Sequence, residues 1–161
     1  MNTEPQPGQK LEPKDFATVI RLAPLAAIDI IVRSPGGRVL LGRRSNEPAK
    51  GCFFVCGGRI TKNETLEAAF SRISLAELGR EQKIRDARLL GAFEHFYPAN
   101  AFEQTGFGTH YVVLAYELTA SLEITSLPAG QHGEYVWKTE AELLMCPKVH
   151  GNTKAYFLRP E

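Results

Sequence analysis

Apolar residues run almost unbroken over 25–32, interrupted only by Asp29. A run of that length, closed by the turn signal Ser34-Pro35-Gly36-Gly37, predicts a buried strand. Residues 38–43 return as a second strand, so the two predict a hairpin. A short apolar strand over 52–56 ends at Gly57-Gly58, and 89–97 and 109–118 predict two longer strands separated by a loop at 98–108. The last strand, 134–138, carries the only tryptophan, Trp137; this residue, Phe53 and Phe54 are predicted core. Helical signals fall between the strands. Pro13 suits the first turn of a helix over 15–22. Residues 65–78 predict a longer helix, with Asn63 as cap, Glu64 at the N-terminal end and Gly79 as stop. Thr139 and Glu142 form a capping box for a helix over 141–145, and a final helix is predicted over 152–158. Mixed strands and helices in this order predict a layered α/β sandwich rather than a regular βαβ array. Residues 1–12 are polar and Pro-rich and predict a disordered lead-in; 13–161 predict a single domain.

On a helical wheel of 65–78, Leu66, Ala69, Phe70 and Ile73 share one face, and Glu77 falls on that face one turn later. A carboxylate there is costly to bury without a cation or hydrogen bonds. On the wheel alone the simpler reading is that Glu77, at the helix end, turns to solvent. The upstream sequence supplies the other reading. Gly57-Gly58 lies between a strand and this helix, where a glycine backbone approaches a ligand closely. A carbonyl from that turn and a carboxylate from the helix are hard oxygen donors, a pair suited to magnesium.

Composition narrows the partners. The chain has 161 residues, 43% of them hydrophobic and 23% charged, which fits one soluble globular domain. Lys and Arg number 19 against 18 Asp and Glu, so no basic excess points to nucleic acid. No apolar run approaches the length of a membrane span. Three cysteines, Cys52, Cys56 and Cys146, are an odd count without an apolar leader, which predicts free thiols in a reducing cytoplasm. Cys52 and Cys56 have no second Cys or His pair to complete a zinc site in sequence.

From Gly58 the sequence reads Gly-Arg-Ile-Thr-Lys-Asn-Glu-Thr-Leu-Glu-Ala-Ala-Phe-Ser-Arg-Ile-Ser-Leu-Ala-Glu-Leu-Gly. It resembles the Nudix box, G-x5-E-x7-R-E-U-x-E-E-x-G-U, where U is apolar. Gly58, Glu64, Arg72, Glu77 and Gly79 match in register. Ile73 and Ala76 stand where the general box has glutamates, and Arg80 replaces the last apolar residue. That pattern of loss looks like the GDP-mannose mannosyl hydrolase branch. Blocks outside the box extend the resemblance over 14–158: Asp15-Phe16-Ala17-Thr18-Val19, Leu40-Leu41-Gly42, His95-Phe96-Tyr97, Thr109-His110-Tyr111-Val112-Val113-Leu114, Gln131-His132 and Ala155-Tyr156-Phe157-Leu158. Cys56 departs from the proline expected before the two glycines.

The resemblance implies a Nudix-type α/β/α sandwich with a mixed sheet. It implies hydrolysis of GDP-mannose, with GDP-glucose as a second candidate substrate, by water attacking the anomeric carbon with inversion. Mg2+ would be held by the Gly57 carbonyl, Glu77 and Gln131. Arg44, Arg59 and Arg72 would assist the departing diphosphate, although Arg44 has a second reading as a solvated strand end and Arg72 as a structural ion pair. His132 would be the general base, because neutral imidazole persists at physiological pH. His95 and Tyr111 would be donors, with strand packing as the alternative, and Asp29 would hold the sugar or orient the base, or else make a buried structural hydrogen bond. His110 and His150 are read as structural. A homodimer is also implied. Two other functions stay open: a Nudix pyrophosphohydrolase attacking phosphorus, and an inactive nucleotide-sugar-binding module.

Overall fold

A computed structural model of the chain describes residues 4–130 and 132–158. In chain order its elements are α1 (Pro13–Leu22), β1 (Leu25–Arg33), β2 (Val39–Arg44), β3 (Phe53–Phe54), β4 (Cys56–Arg59), α2 (Leu66–Leu78), β5 (Arg88–Tyr97), β6 (Thr109–Thr119), β7 (His132–Lys138), α3 (Glu140–Met145) and α4 (Gly151–Ala155). The sheet is mixed: β1 runs parallel to β6 and antiparallel to β4, and β5 pairs antiparallel with β6. Helix α2 covers one face, and α3 and α4 cover the other, giving the expected α/β/α sandwich.

Strand β1 is central because both of its faces are apolar. Ile28, Ile30 and Val32 pack with Phe70, Ile73 and Leu78 of α2. Ile31 packs on the opposite side with Val39, Leu41, Phe53 and Leu143. Such continuous apolar strands are what a sheet covered on both faces requires.

The hairpin predicted for the first two strands closes only at its base. Its ladder has the single pair Arg33 and Val39. Beyond it β2 leaves β1 and pairs along its whole length with β7, while β4 takes its place beside Ala27 to Ile30. The strand expected over 52–56 is likewise two pieces, and the second continues through both glycines to Arg59.

Helix α2 starts one residue after its predicted start, capped by Thr65, whose hydroxyl accepts from the Ala68 amide at 3.2 Å. Asn63, the predicted cap, instead sits at φ 63° in the approach turn. Gly79 stops the helix in the left-handed region at φ 68°. The predicted face holds for Ala69, Phe70, Ile73 and Glu77, but Leu66 is 42% exposed because the first turn overhangs the sheet edge. The Thr139–Glu142 capping box is present. Residues 4–12, expected to be disordered, lie along the β4–α2 connection: the Gly8 amide donates to Thr61 Oγ1 at 2.7 Å, and Glu4 pairs with Lys62 at 3.2 Å. No helix among the described residues is long and apolar enough to cross a membrane.

Candidate active site

Alternation along β1 turns Asp29 to the same side as Ile31, away from α2. There the α3/α4 face runs out of large apolar side chains, and a cleft of about 630 Å³ opens. Ala27, Asp29, Gly57 and Val113 are among the residues of the sheet that line it. Arg44, Arg59, Lys10 and Lys50 bring positive charge, and Phe16, Phe54, His95, Tyr97 and Tyr111 bring rings. His132 also contributes to the wall. The cleft therefore gathers six of the expected site residues outside the metal set (Asp29, Arg44, Arg59, His95, Tyr111, His132) and, from that set, Gly57. Gln131 lies outside the described residues.

Two arginines reach the cleft for distinct local reasons. The β2–β7 ladder shifts register between Arg43 and Arg44. A bulge of this kind re-aims side chains: Arg43 points out to Glu134 at 3.6 Å, while Arg44 turns in, its guanidinium 5.3 Å from the centre of the Phe54 ring. Arg59, at the end of β4, stacks on Phe16 of α1 at 3.7 Å. Both keep their donors for an anion, because a ring face uses none of them. Burial lowers the Arg59 pKa, which leaves a guanidinium charged at any working pH.

Arg72 does not join them. It is absent from the cleft wall and takes up the structural role that was its second reading. Its Nε donates to Glu64 Oε1 at 2.6 Å, and its NH2 donates to Glu64 Oε2 at 2.9 Å and to the Arg59 carbonyl at 2.8 Å. Glu64 also accepts from the Thr61 amide at 2.9 Å. The Arg72 bonds, with those from Thr61, hold the Glu64 carboxyl down at about 2. Box residues Glu64 and Arg72 thus lock the β4–α2 connection.

Asp29 is the most deeply set carboxylate of the cleft. Burial pushes its pKa up to about 6, against the pull of the Tyr156 hydrogen bond and of Arg44; Glu77 adds a small rise. Tyr156 donates its hydroxyl proton to Asp29 Oδ2 at 2.5 Å. The Tyr156 hydroxyl oxygen is left to accept from His95 Nε2, 3.1 Å away. His95 is driven down to about 4 by burial and by His150, so it is neutral and has one N–H to give. A chain from His95 through Tyr156 to Asp29 results. Sequence reasoning missed Tyr156; its block had been noted, but nothing in a C-terminal turn signals contact with a strand 127 residues away. Tyr111 is half-buried, its hydroxyl pushed up by burial, which keeps it a donor.

Gly57 faces Asp29 across the β1–β4 ladder, and a Cβ there would stand 2.2 Å from Asp29 Oδ1. Gly58 faces the other way, where a Cβ would meet Ile73 at 3.0 Å. The two glycines serve opposite faces of one strand, so the expected glycine loop is a piece of sheet.

His132 occupies an unexpected position. Predicted in a loop as a base for water, it opens β7 and packs its ring onto Gly42, where a Cβ would lie 2.4 Å from the ring. Nε2 contacts Glu77 Oε2 at 3.1 Å, and Nδ1 is buried without a hydrogen-bond partner among the described residues. Nε2 is thus engaged with Glu77 and Nδ1 is enclosed, unlike the open loop position expected for a base. Cys56 joins the same two residues. Burial pushes its thiol well up, with Glu77 and Asp29 adding to the rise. One ligand atom from each of Cys56, Glu77 and His132 lies within 4.8 Å of the others.

A mixed-sheet sandwich with a cationic cleft beside a glycine-strand–helix unit defines a Nudix-type protein. The NUDIX domain profile matches residues 23–159, so the chain belongs to the Nudix hydrolase family. It is 39% identical over 118 residues to the low-salt glycan biosynthesis protein Agl8 of Haloferax volcanii, covering 73% of this chain and 73% of that one. It is 38% identical over 72 residues to the ADP-ribose pyrophosphatase of Methanocaldococcus jannaschii, covering 45% of this chain and 41% of that one. Among solved structures, a MutT Nudix hydrolase of Burkholderia pseudomallei superposes with a TM-score of 0.65 at 25% identity, over 83% of this chain and 95% of that one. The NUDIX domain of Shewanella oneidensis NrtR, solved with ADP ribose, superposes with a TM-score of 0.60 at 20% identity, over 91% and 90%.

Nudix hydrolases generally use a divalent ion such as Mg2+. Among the described His, Cys, Asp and Glu side chains, the two that converge with Glu77 do not fit magnesium: one is an imidazole and one a thiol, whereas magnesium takes oxygen ligands almost throughout.

Proposed function

We propose that this Nudix hydrolase cleaves a nucleoside-diphosphate sugar, GDP-mannose first among them, between the sugar and the diphosphate. The fate of the box carboxylates carries this reading. Attack at phosphorus commonly draws on several box glutamates. Here Ile73 is sealed in the core, Ala76 is exposed on the far side of α2, and Glu64 is locked by Arg72. Glu77 is the box carboxylate left near the cleft. The cleft itself offers what displacement at carbon needs. Arg44 and Arg59 hold the diphosphate and neutralise charge as it leaves. Asp29 stands as the base in place of His132: its carboxylate is mostly ionised at pH 7, and the Tyr156 hydrogen bond fixes its orientation. Tyr111 is a donor to a sugar hydroxyl, and His95, its one N–H given to Tyr156, offers Nδ1 as an acceptor. A homodimer belongs to the same reading and is tested by sedimentation.

Product analysis in oxygen-18 water tests the bond cut. The expected result is label in the free sugar and none in GDP. Label confined to phosphate products removes the reading. It would favour the second one, a pyrophosphohydrolase attacking phosphorus, which the match to the Methanocaldococcus jannaschii ADP-ribose pyrophosphatase supports.

A further inference from the structure

Alternation along β4 places Gly57 against Asp29 and turns Cys56 to the opposite face, where it is wholly buried. Two other elements bring donors to the same point. Helix α2 supplies Glu77 from its last turn, 7% exposed, and β7 supplies His132 from its first residue, 3% exposed. We propose that Cys56, Glu77 and His132 form a binding site for a divalent transition ion of the zinc class. The proposal is independent of which bond the enzyme cuts.

The chemistry of the donors carries it. Thiolate and imidazole select zinc-class ions over magnesium, and a carboxylate is an ordinary third partner. The geometry is near what such an ion needs. Tetrahedral coordination with bonds of about 2.0–2.3 Å sets donor atoms about 3.4–3.6 Å apart. His132 Nε2 and Glu77 Oε2 are 3.1 Å apart, and the whole trio spans at most 4.8 Å. Side-chain rotation of a fraction of an ångström to about one ångström closes the difference. Three protein ligands leave a fourth position, as such sites keep for water or substrate. Charge also balances. On binding, the thiol releases its proton to solvent, and His132 binds through Nε2 as neutral imidazole with its ring proton on Nδ1. Thiolate and carboxylate then carry two negative charges against two positive ones, so the loaded site is neutral and its burial costs little.

The sheet prepares the trio. Gly42 has no side chain because the His132 ring occupies that space, which sets the ring beside α2. Nothing in the mechanism above uses Cys56.

The test reads metal directly. Metal-free protein is titrated with Co2+ in the absence of nucleotide. One equivalent is expected to give tetrahedral visible bands and a near-ultraviolet sulfur-to-cobalt charge-transfer band, and Zn2+ at one equivalent is expected to erase both. Millimolar Mg2+ is expected to leave them unchanged. Cys56→Ser and Cys56→Ala are expected to lose the charge-transfer band and to weaken Zn2+ binding beyond the roughly 10–100-fold that outer partners of a metal site cost. The Cys52→Ser/Cys146→Ser double variant is expected to keep both. A charge-transfer band that survives in Cys56→Ala, disappears in the double variant, or never forms in the parent protein overturns the proposal. If the Cys56 variants unfold, His132→Ala replaces them: an unchanged visible spectrum there is equally fatal. Zinc stoichiometry is measured without substrate, so a negative oxygen-18 result leaves this outcome untouched.

Discussion

Asp29 shows how a residue can be visible in sequence while its partners are not. A single acid inside an apolar strand declares that it needs a partner. Which partner depends on Tyr156, far away in the chain, and on Gly57 across the ladder. With a pKa of about 6, a base at this position is active when ionised, so activity is expected to fall as the pH drops through about 6 and to level off above it. Asp29→Asn is expected to cut kcat by at least about 100-fold, the low end of what general-base groups contribute, with KM changed little. Near-normal turnover in that variant would remove Asp29 as base. Tyr156→Phe gives a finer reading. The tyrosine bond holds the carboxyl pKa down, so its loss is expected to move the acid limb to higher pH. A limb that stays in place would mean that another group titrates there.

The β4–α2 unit sets the stability of the element that delivers Glu77. Glu64 is almost fully enclosed and has Arg72 as its cationic partner. Removing that arginine leaves a carboxylate paired only with Thr61. Arg72→Ala is therefore expected to destabilise the fold by roughly 1–3 kcal/mol, read as a lowered denaturation midpoint. Because the Glu64 pKa is depressed, its contribution is complete above its ordinary value near 4.5 and is lost as the pH falls toward about 2. Arg72→Ala is expected to flatten that acid-side slope, and a parent-like slope would exclude the pair as its source. The Thr65→Ala change removes only the cap and is expected to cost about 1 kcal/mol. Helix α2 was legible almost residue by residue, since its stop and its apolar face are local signals. Its cap was misplaced by two residues because Asn63 and Thr65 both have capping side chains, and the left-handed backbone at Asn63 decides between them.

At the scale of the molecule, the fold class and element order were readable, but the pairing of β2 was not. A short turn after β1 predicts a hairpin. The chain prefers to spend β2 on β7 because Leu40 and Leu41 each bury on an opposite face there. The position of His132 was hidden for the same reason: only the β2–β7 register places it over Gly42. The loop at 98–108 was also opaque. Asn100 organises it by donating to the Gln104 and Phe107 carbonyls and accepting from the Phe102 and Gln104 amides. Phe102 of that loop meets Phe16 edge-on at 5.7 Å, and Phe16 carries Arg59 on its other contact. Helix α1 thus ties the loop to Arg59, the arginine proposed to hold the diphosphate. Phe16→Ala is expected to raise KM several-fold with kcat nearly kept, and equal losses in both would place Phe16 in the chemistry rather than in binding.

The contact between Asp29 and Gly57 makes two positions behave as one. Gly57→Ala alone forces a methyl group onto a carboxylate oxygen and is expected to give little folded protein. Asp29→Ala removes the larger clash but not the one with the Ile28 carbonyl oxygen, 2.8 Å from such a Cβ, so the double substitution is expected to fold better than the Gly57 single variant and less well than the parent. In this chain the acid can be replaced first and the glycine afterwards, while the reverse order passes through the clashing single variant. Gly57, the residue just before the box, is therefore held at glycine by the acid opposite it.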